Sequence, residues 1–298
     1  MTIVSGPEFG VKYTLTGPDG SRAVFNDPTD PDYVGYLKDV TGLDSPDVRE
    51  SSEDLTGLDG GIHGDFFYGR RPVVLEGIIE APVSASARNA RMMKLQMASN
   101  AMRDDAVLKW TPSGGVENYV TVRRQQPLRI RGGWNKEFQC ALVAADPRIY
   151  GSTLNERSDV AGGGLTSPTG GRAYSRTYDS SYGPGGSVFG EFTVTNEGSA
   201  ETFPILTITG PCTNPLISNW TTGQDLRMNY TLGDGDTLTF DMLNRTIVLN
   251  GTASRYGYLD FFNSEWWPLV PGGNELRLTF DSYSSPAALE VAWRHAWL

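Results

Sequence analysis

The sequence contains only two cysteines, Cys140 and Cys212, and two histidines, His63 and His295, among 298 residues. Two cysteines exclude a disulfide-rich scaffold and a cysteine-based zinc site, and we expect both thiols to be buried. A Ser-His-Asp triad would need one of the two histidines, and the G-x-S-x-G elbow that often carries its serine is missing. We interpret both histidines as single surface residues.

Positive charge is also scarce. The chain has 25 Lys and Arg against 35 Asp and Glu, which gives a formal net charge of −10, and this balance disfavours a general attraction to nucleic acid or to anionic membranes. No run of about 18 apolar residues could span a bilayer, and the first ten residues lack the basic and apolar segments of a secretion signal. We expect a protein made in the cytosol, with no specific nucleic-acid partner and no membrane insertion.

Motifs that bind phosphate or perform catalysis are missing as well. Neither G-x-G-x-x-G nor the Walker lysine pattern occurs, and no pair of carboxylates is singled out by its neighbours for glycosidase chemistry. The acidic stretch 27–65 could form a calcium loop, but its spacing does not match an EF-hand, which favours a long solvated or partner-contacting loop. We expect no catalysis, no cofactor and no metal.

The patterns that do occur are those of a mainly β protein. With 35 Gly, 18 Pro and 39% hydrophobic residues, the chain offers many turns and enough apolar area for packed cores. The heptapeptide 144–150 separates a mixed β/α pattern from a Gly/Ser/Tyr-rich stretch and then from clean alternating strands. We predict a first domain over 1–150, a linker over 151–187 and a second domain over 188–298.

In the first domain, successive strands separated by turns predict a small closed or split barrel with one helix against it. Ser84 or Ser86 can cap the helix, and Ala90, Met93, Met97 and Ala101 recur on one face of a 3.6-residue period. We predict that this face packs on the sheet. The alternative is a methionine-rich groove for a partner.

A local basic cluster follows the helix, in an otherwise acidic protein. Its members are Arg123, Arg124, Arg129, Arg131 and Lys136. The simpler interpretation is a solvated face of the sheet. The alternative is a subunit interface that contacts the acidic stretch 27–65 of a neighbouring copy.

The second domain shows regular alternation. Leu226, Met228 and Tyr230 face one way, a Gly-Asp-Gly-Asp turn follows at 233–236, and the apolar side then continues, which predicts an antiparallel β-sandwich. Trp266 and Trp267 are candidates for stacking on a glycan. Inside a sandwich the same residues fill the core, and we favour that interpretation.

Several short motifs occur in one order along most of the chain: Gly69-Arg70-Arg71 before the strand 73–79, Ala145-Asp146-Pro147-Arg148, Phe203-Pro204, Ile208-Thr209-Gly210, Pro215-Leu216-Ile217-Ser218-Asn219, Val248-Leu249-Asn250-Gly251, and Trp267-Pro268-Leu269-Val270-Pro271-Gly272-Gly273-Asn274. In this order they resemble the distal tail proteins of siphophages, also called phage tail or minor tail proteins.

The resemblance implies a structural virion protein at the tail tip of a long non-contractile tail. Such a protein forms a homohexameric ring whose N-terminal split barrel joins the tail tube and whose galectin-like C-terminal sandwich faces outward. Its partners would be the tail tube protein, the tape-measure and tail-tip hub, and the baseplate or receptor-binding proteins, with assembly in the bacterial cytoplasm. The alternatives are an adhesin module for host glycans and an enzyme acting on cell-wall glycan.

Overall fold

The computed structural model describes residues 10–57, 59–80, 84–101, 103–161, 191–281 and 287–298. The chain divides into two compact units, of which the first extends to Thr153 and the second spans Leu154–Trp297. Strands dominate both units, and a single α-helix occurs among the described residues. The predicted mainly-β class is therefore confirmed.

The first unit contains one helix, α1 (Ala85–Ala98), and eleven strands. The strands are β1 (Tyr13–Thr16), β2 (Arg22–Phe25), β3 (Tyr33–Thr41), β4 (Val48–Asp54), β5 (Gly61–Tyr68), β6 (Arg71–Ile79), β7 (Ala106–Trp110), β8 (Asn118–Arg124), β9 (Arg129–Arg131), β10 (Lys136–Ala144) and β11 (Ile149–Gly151).

Nine of these strands form one barrel-like sheet in the order β11-β8-β7-β1-β2-β3-β6-β10-β9. A further antiparallel pairing of β8 with β10 turns the sheet back on itself. In β6, buried residues alternate with more exposed ones along the whole strand, as expected where one face lines a core. Inside the sheet, Leu15, Leu75, Leu108 and Leu142 are fully buried. The predicted barrel with one helix is confirmed.

Helix α1 begins where the sequence predicts. Ser84 is the N-cap, and its Oγ accepts a hydrogen bond of 3.2 Å from the backbone N–H of Ala87. The predicted core face is wrong within the helix, because the buried helical residues are Leu95 and Ala98, while Met93 and Met97 are 61% and 52% exposed. Ala101, the last residue of the predicted face, is buried but lies beyond the end of the helix. Two apolar stripes lie side by side on this helix, and only one of them can face the sheet.

The acidic stretch 27–65 is more regular than the predicted long loop. It contains β3, which pairs with β6 in the sheet, and the hairpin β4–β5. The hairpin gave no strand signal because β4 reads Val-Arg-Glu-Ser-Ser-Glu-Asp, a segment without the apolar alternation that marks a half-buried strand.

The second unit contains thirteen strands, and the first twelve of them, β12 to β23, pair antiparallel with one another. They are β12 (Asn155–Ala161), β13 (Glu191–Asn196), β14 (Ile205–Thr209), β15 (Cys212–Thr213), β16 (Leu216–Asn219), β17 (Gln224–Arg227), β18 (Thr231–Leu232), β19 (Thr237–Asp241), β20 (Thr246–Leu249), β21 (Ala253–Ser254), β22 (Gly272–Thr279), β23 (Ala287–Trp293) and β24 (Ala296–Trp297), with a short 3-10 helix at Tyr256–Tyr258.

Two larger sheets enclose the core of this unit. One has the order β12-β23-β14-β19-β20-β21 and the other β13-β22-β16-β17. A single apolar cluster takes residues from both, including Leu206, Phe240, Leu276 and Val291. This is the antiparallel sandwich that the alternating pattern predicts.

The region assigned to the linker, 151–187, differs from the prediction in its first part. Asn155–Ala161 forms β12, which pairs along its whole length with β23. The polar start of this strand, Asn-Glu-Arg-Ser-Asp, explains why alternation did not reveal it. The Gly/Tyr-rich remainder lies within 162–190, outside the described residues.

Candidate assembly interface

The hairpin β4–β5 carries a group of exposed apolar side chains. In the described part of the chain, these two strands pair with one another and with no third strand. All eight residues of β5 are exposed, and Phe66 and Phe67 are 53% and 61% exposed. A lone two-stranded hairpin is marginally stable in water, and contiguous exposed apolar residues mark interaction sites. We call this region the hairpin surface, defined as Val48, Ile62, Phe66, Phe67 and Tyr68.

Acidic groups surround the aromatic residues of the hairpin surface. Glu50, Glu53 and Asp65 lie on its two strands, and Glu50 Oε1 contacts Nδ1 of His63. The side chain of His63 is 87% exposed. The predicted surface histidine is therefore confirmed, and the hairpin combines apolar and negative character.

The structure separates the four arginines that the sequence groups together. Arg123 is exposed and forms a salt bridge with Asp105 of its own unit. Arg124 is half-buried, and its backbone N–H donates to the carbonyl of Ala101 at 2.8 Å. Arg123 is therefore already neutralised within the subunit.

Arg129 and Arg131 remain as the exposed positive residues of the cluster. Both lie on β9, with exposed side chains, and neither takes part in a salt bridge within the described ranges. They border a cleft of about 270 Å³ that also contains the Lys38–Glu137 salt bridge of 2.6 Å. We call β9 with these two arginines the basic strand.

A third surface lies along the exposed side of helix α1. Met93 and Met97 border an open depression of about 480 Å³, together with Gln96, Asn100, Arg124, Pro127 and Leu128. The exposure of the two methionines agrees with the alternative interpretation of this helix face, a methionine-rich surface.

The tryptophans proposed for glycan stacking are placed differently from one another. Trp267 is fully buried in the core of the second unit, so it cannot stack on a sugar, and it is removed from the candidates. Trp266 is half-buried and lies parallel to Tyr256, with ring centroids 6.3 Å apart. Trp293 is 8% exposed and donates from Nε1 to the carbonyl of Thr195 at 3.0 Å. The core interpretation therefore holds for Trp267, and Trp293 is a further core tryptophan of this unit.

An exposed tryptophan was missed by the sequence reasoning. Trp220 is 55% exposed and lies in the turn between β16 and β17. The guanidinium carbon of Arg277 is 5.0 Å from its ring centroid, and Arg277 forms a 3.3 Å salt bridge with Glu191. An available signal was the position of Trp220 in a turn sequence, Asn-Trp-Thr-Thr-Gly, where a core residue is not expected.

Both cysteines are buried, and His295 has a backbone hydrogen-bond partner. Burial raises the pKa of the Cys140 thiol to about 12 and that of Cys212 to about 11, so both stay protonated at neutral pH. His295 Nδ1 accepts a 3.0 Å hydrogen bond from the backbone N–H of Glu197. Across the described ranges, no group of three or more His, Cys, Asp and Glu residues is arranged to hold a metal ion.

No helix in the described part of the chain has the length and apolar character needed to cross a membrane.

Comparison with known proteins adds a family and a fold. Residues 197–297 match the family model of the siphovirus-type tail component, C-terminal domain. A search of curated protein sequences gives no match. The structure is similar to that of the Dit protein of phage SPP1, described as a paradigm of the hub adsorption apparatus in phages that infect Gram-positive bacteria. The TM-score is 0.67 at 14% identity, over 96% of this chain and 99% of that one.

A second similar structure is a chain of the phage P2 baseplate in its activated conformation with calcium. The TM-score is 0.51 at 12% identity, over 95% of this chain and 97% of that one. At such identities the likeness shows a shared fold, and it extends over both units of the chain.

Proposed function

We propose that the chain is a distal tail protein of the siphovirus type, which the family match over residues 197–297 and the shared fold support, and that it forms a homohexameric ring at the tail tip. The ring joins the tail tube protein to the tape-measure and tail-tip hub and to the receptor-binding proteins. It assembles in the cytoplasm of the bacterial host. Its role is structural and not catalytic.

The observation that carries the ring proposal is the hairpin surface. Phe66 and Phe67 expose more than half of their side chains to water, on two strands that no other described strand supports. Aromatic side chains are the residues that most often dominate the energy of protein interfaces. A second copy of this chain that covers the hairpin would bury these rings and support the strands.

The basic strand supplies a complementary surface for that second copy. Arg129 and Arg131 are exposed and unpaired among the described residues, whereas the hairpin carries Glu50, Glu53 and Asp65. Charged groups at the edge of an interface fix its register and increase the association rate. We therefore pair the hairpin of one subunit with the basic strand of the next.

Symmetry agrees with this pairing. A ring of more than two subunits needs a heterologous interface, in which two different patches of one molecule meet on successive copies. The hairpin β4–β5, which carries Glu50, Glu53 and Asp65 beside the hairpin surface, and the basic strand are two such patches with opposite charge. A symmetric dimer would need one patch that complements itself, which two acidic hairpins would not provide.

The test is the mass of the purified protein in solution, measured by light scattering, followed by negative-stain imaging. We expect rings of about six times the chain mass of 32.5 kDa. Substitution of the hairpin aromatics should dissociate the rings and leave the subunits folded.

A second candidate function is a glycan-binding adhesin module in the C-terminal unit. The observation that favours it is the group of exposed rings beside Trp266, in which Tyr256 is 39% and Phe261 57% exposed. Glycan binding that disappears in Trp266→Ala would support this function. A ring that binds no glycan would exclude the adhesin function, and only the structural role would remain.

A further inference from the structure

The turn that carries Trp220 is rigid. The side chain of Asn219 is fully buried, and its Oδ1 accepts a 3.1 Å hydrogen bond from the N–H of Thr221. The N–H of Gly223 closes the turn on the carbonyl of Asn219 at 2.8 Å, and the N–H of Trp220 donates to the carbonyl of Glu275 at 2.8 Å. The backbone that carries the exposed indole is therefore held in place, which lowers the entropy cost of ordering the turn when a ligand binds.

One charged side chain lies against the indole and is fixed by another. Arg277, on β22, lies over the ring of Trp220 and is held by its salt bridge with Glu191, at the start of β13. The Arg277 side chain is 19% exposed. Its Nε is buried and has no hydrogen-bond partner among the described residues. The guanidinium is thus positioned beside the ring, and a ligand can reach the exposed part of the side chain but not the buried Nε.

These residues enclose a small cavity of about 180 Å³, which is also lined by Phe192, Thr193, Glu275 and Leu276. Sites for drug-sized ligands usually measure about 300 Å³ or more, so this one has room for a single ring-sized group. A protein partner usually covers about 800 Å² on each side of an interface. The cavity therefore fits a small ring better than a protein surface.

We propose that this cavity binds one pyranose ring of a neutral saccharide. The open part of the Trp220 indole offers an apolar surface to the C–H face of the sugar. The carboxylates of Glu191 and Glu275 accept hydrogen bonds from its hydroxyl groups, and Arg277 donates to its oxygens.

The charge of the site selects among sugars. Two carboxylates against one guanidinium leave the lining negative, which disfavours sugars that carry a carboxylate or a phosphate. The proposal goes beyond the hub function and does not depend on ring formation. It also differs from the adhesin candidate in its location, because Trp266 lines no part of this cavity.

The test uses the full chain and four probes, the methyl glycosides of glucose, galactose, N-acetylglucosamine and glucuronic acid. Binding is measured by saturation-transfer NMR and by tryptophan fluorescence. We expect at least one neutral glycoside to bind with a dissociation constant in the millimolar range, and the glucuronide to bind at least about tenfold more weakly.

Variants locate the site. Trp220→Ala and Glu275→Gln should each weaken binding at least about tenfold, while Trp220→Tyr, which keeps an aromatic face, should retain it. Trp266→Ala, a matched tryptophan change elsewhere in the same unit, should bind as the wild type does. Circular dichroism shows whether each variant is folded. If Trp220→Ala does not fold, the loss of binding in Glu275→Gln is the test of the site.

The proposal is overturned if no neutral glycoside binds the wild type. It is equally overturned if the glucuronide binds as tightly as the neutral probes, or if Trp266→Ala loses as much affinity as the variants of the cavity. The mass measurement is independent, so a failure of the saccharide site is distinguishable from a failure of the ring.

Discussion

Arg71 Nε donates a hydrogen bond of 2.7 Å to the carbonyl oxygen of Pro147, across 76 residues of sequence. The same guanidinium donates from an η nitrogen to the carbonyl of Gly42 at 2.8 Å. Arg71 is fully buried, and burial lowers its pKa, with Asp44 and Asp146 opposing that shift. The residue thus ties the end of β3 and the segment before β11 to the start of β6.

Replacing Arg71 should therefore destabilise the first unit. Arg71→Met leaves two partly buried carbonyl groups without the donor that the buried guanidinium supplies, and we expect a loss of about 2–4 kcal/mol in the free energy of unfolding. Arg70→Met is the matched control, because Arg70 is exposed and its loss should stay within about 0.5 kcal/mol. Denaturant unfolding measures both, and equal effects would contradict the role given to Arg71.

The hairpin surface should decide the state of assembly. The double variant Phe66→Ser, Phe67→Ser removes the two large exposed rings, and we expect it to be a folded monomer at concentrations where the wild type forms rings. Hot-spot aromatics commonly contribute more than about 2 kcal/mol each to an interface. Size-exclusion chromatography with light scattering measures the change.

The control for the hairpin variant is Phe262→Ser. Phe262 is fully exposed in the second unit, so this change removes an exposed ring of the same type from outside the proposed interface. A wild-type mass in the hairpin variant, or the same dissociation in Phe262→Ser, would show that the hairpin surface does not hold the ring together.

Charge reversal tests the pairing between the hairpin and the basic strand. Arg129→Glu, Arg131→Glu should dissociate the ring, and the further changes Glu50→Arg, Glu53→Arg should restore it in part, because the attraction is re-formed with opposite signs. Arg123→Glu should have the smaller effect on assembly, since Arg123 is paired with Asp105. High salt should weaken the wild-type ring. Restoration of the ring by the second pair of changes is the informative result. If the ring is not restored, the hairpin and the basic strand do not contact one another in the assembly.

The two faces of helix α1 predict opposite responses to substitution. Leu95 is fully buried, whereas Met97 is 52% exposed. Leu95→Ala should reduce the free energy of unfolding by about 2–5 kcal/mol, and Met97→Gln should change it by less than about 0.5 kcal/mol. Thermal unfolding of both variants provides the comparison. A large loss of unfolding free energy in Met97→Gln would instead show that the helix face predicted from the sequence packs on the sheet.

Asp27 should stay ionised to a lower pH than an ordinary aspartate does. The hydroxyl of Thr29 donates to its carboxylate, and Lys12 donates to it at 2.9 Å; these contacts lower the pKa of Asp27 from 3.8 to about 2. Because the folded pKa is the lower one, the contribution of Asp27 to stability is present above pH 3.8 and is lost as the pH falls through about 2. A carboxyl-carbon NMR titration should show the pKa rising in Thr29→Ala, and an unchanged value would contradict this cause.

The sequence predicts the elements that bury one face and expose the other. Strands such as β6, β14 and β19 alternate between buried and more exposed residues, and a period of two is visible in the sequence because water and core select different side chains. The hairpin β4–β5 and the edge strand β12 lack that selection. These strands are held by backbone hydrogen bonds, which do not depend on side-chain type, so their sequences show no alternation of apolar and polar residues.

The candidate surfaces were predictable in part. The basic cluster is visible in the sequence, but only the structure shows that Arg123 is neutralised while Arg129 and Arg131 are not. Helix α1 has two neighbouring apolar stripes in its sequence, and only the structure shows that the stripe with Leu95 packs on the sheet. The cavity at Trp220 joins residues from β13, β22 and the turn after β16, a combination that sequence spacing does not reveal.

The mass of the wild-type protein in solution tests the central claim most directly. Light scattering over a range of concentrations should show a species of about six times 32.5 kDa, and negative-stain images of it should show rings. A mass of a single chain at every concentration, with no rings in the images, would contradict the proposal that this chain builds the ring of the tail tip.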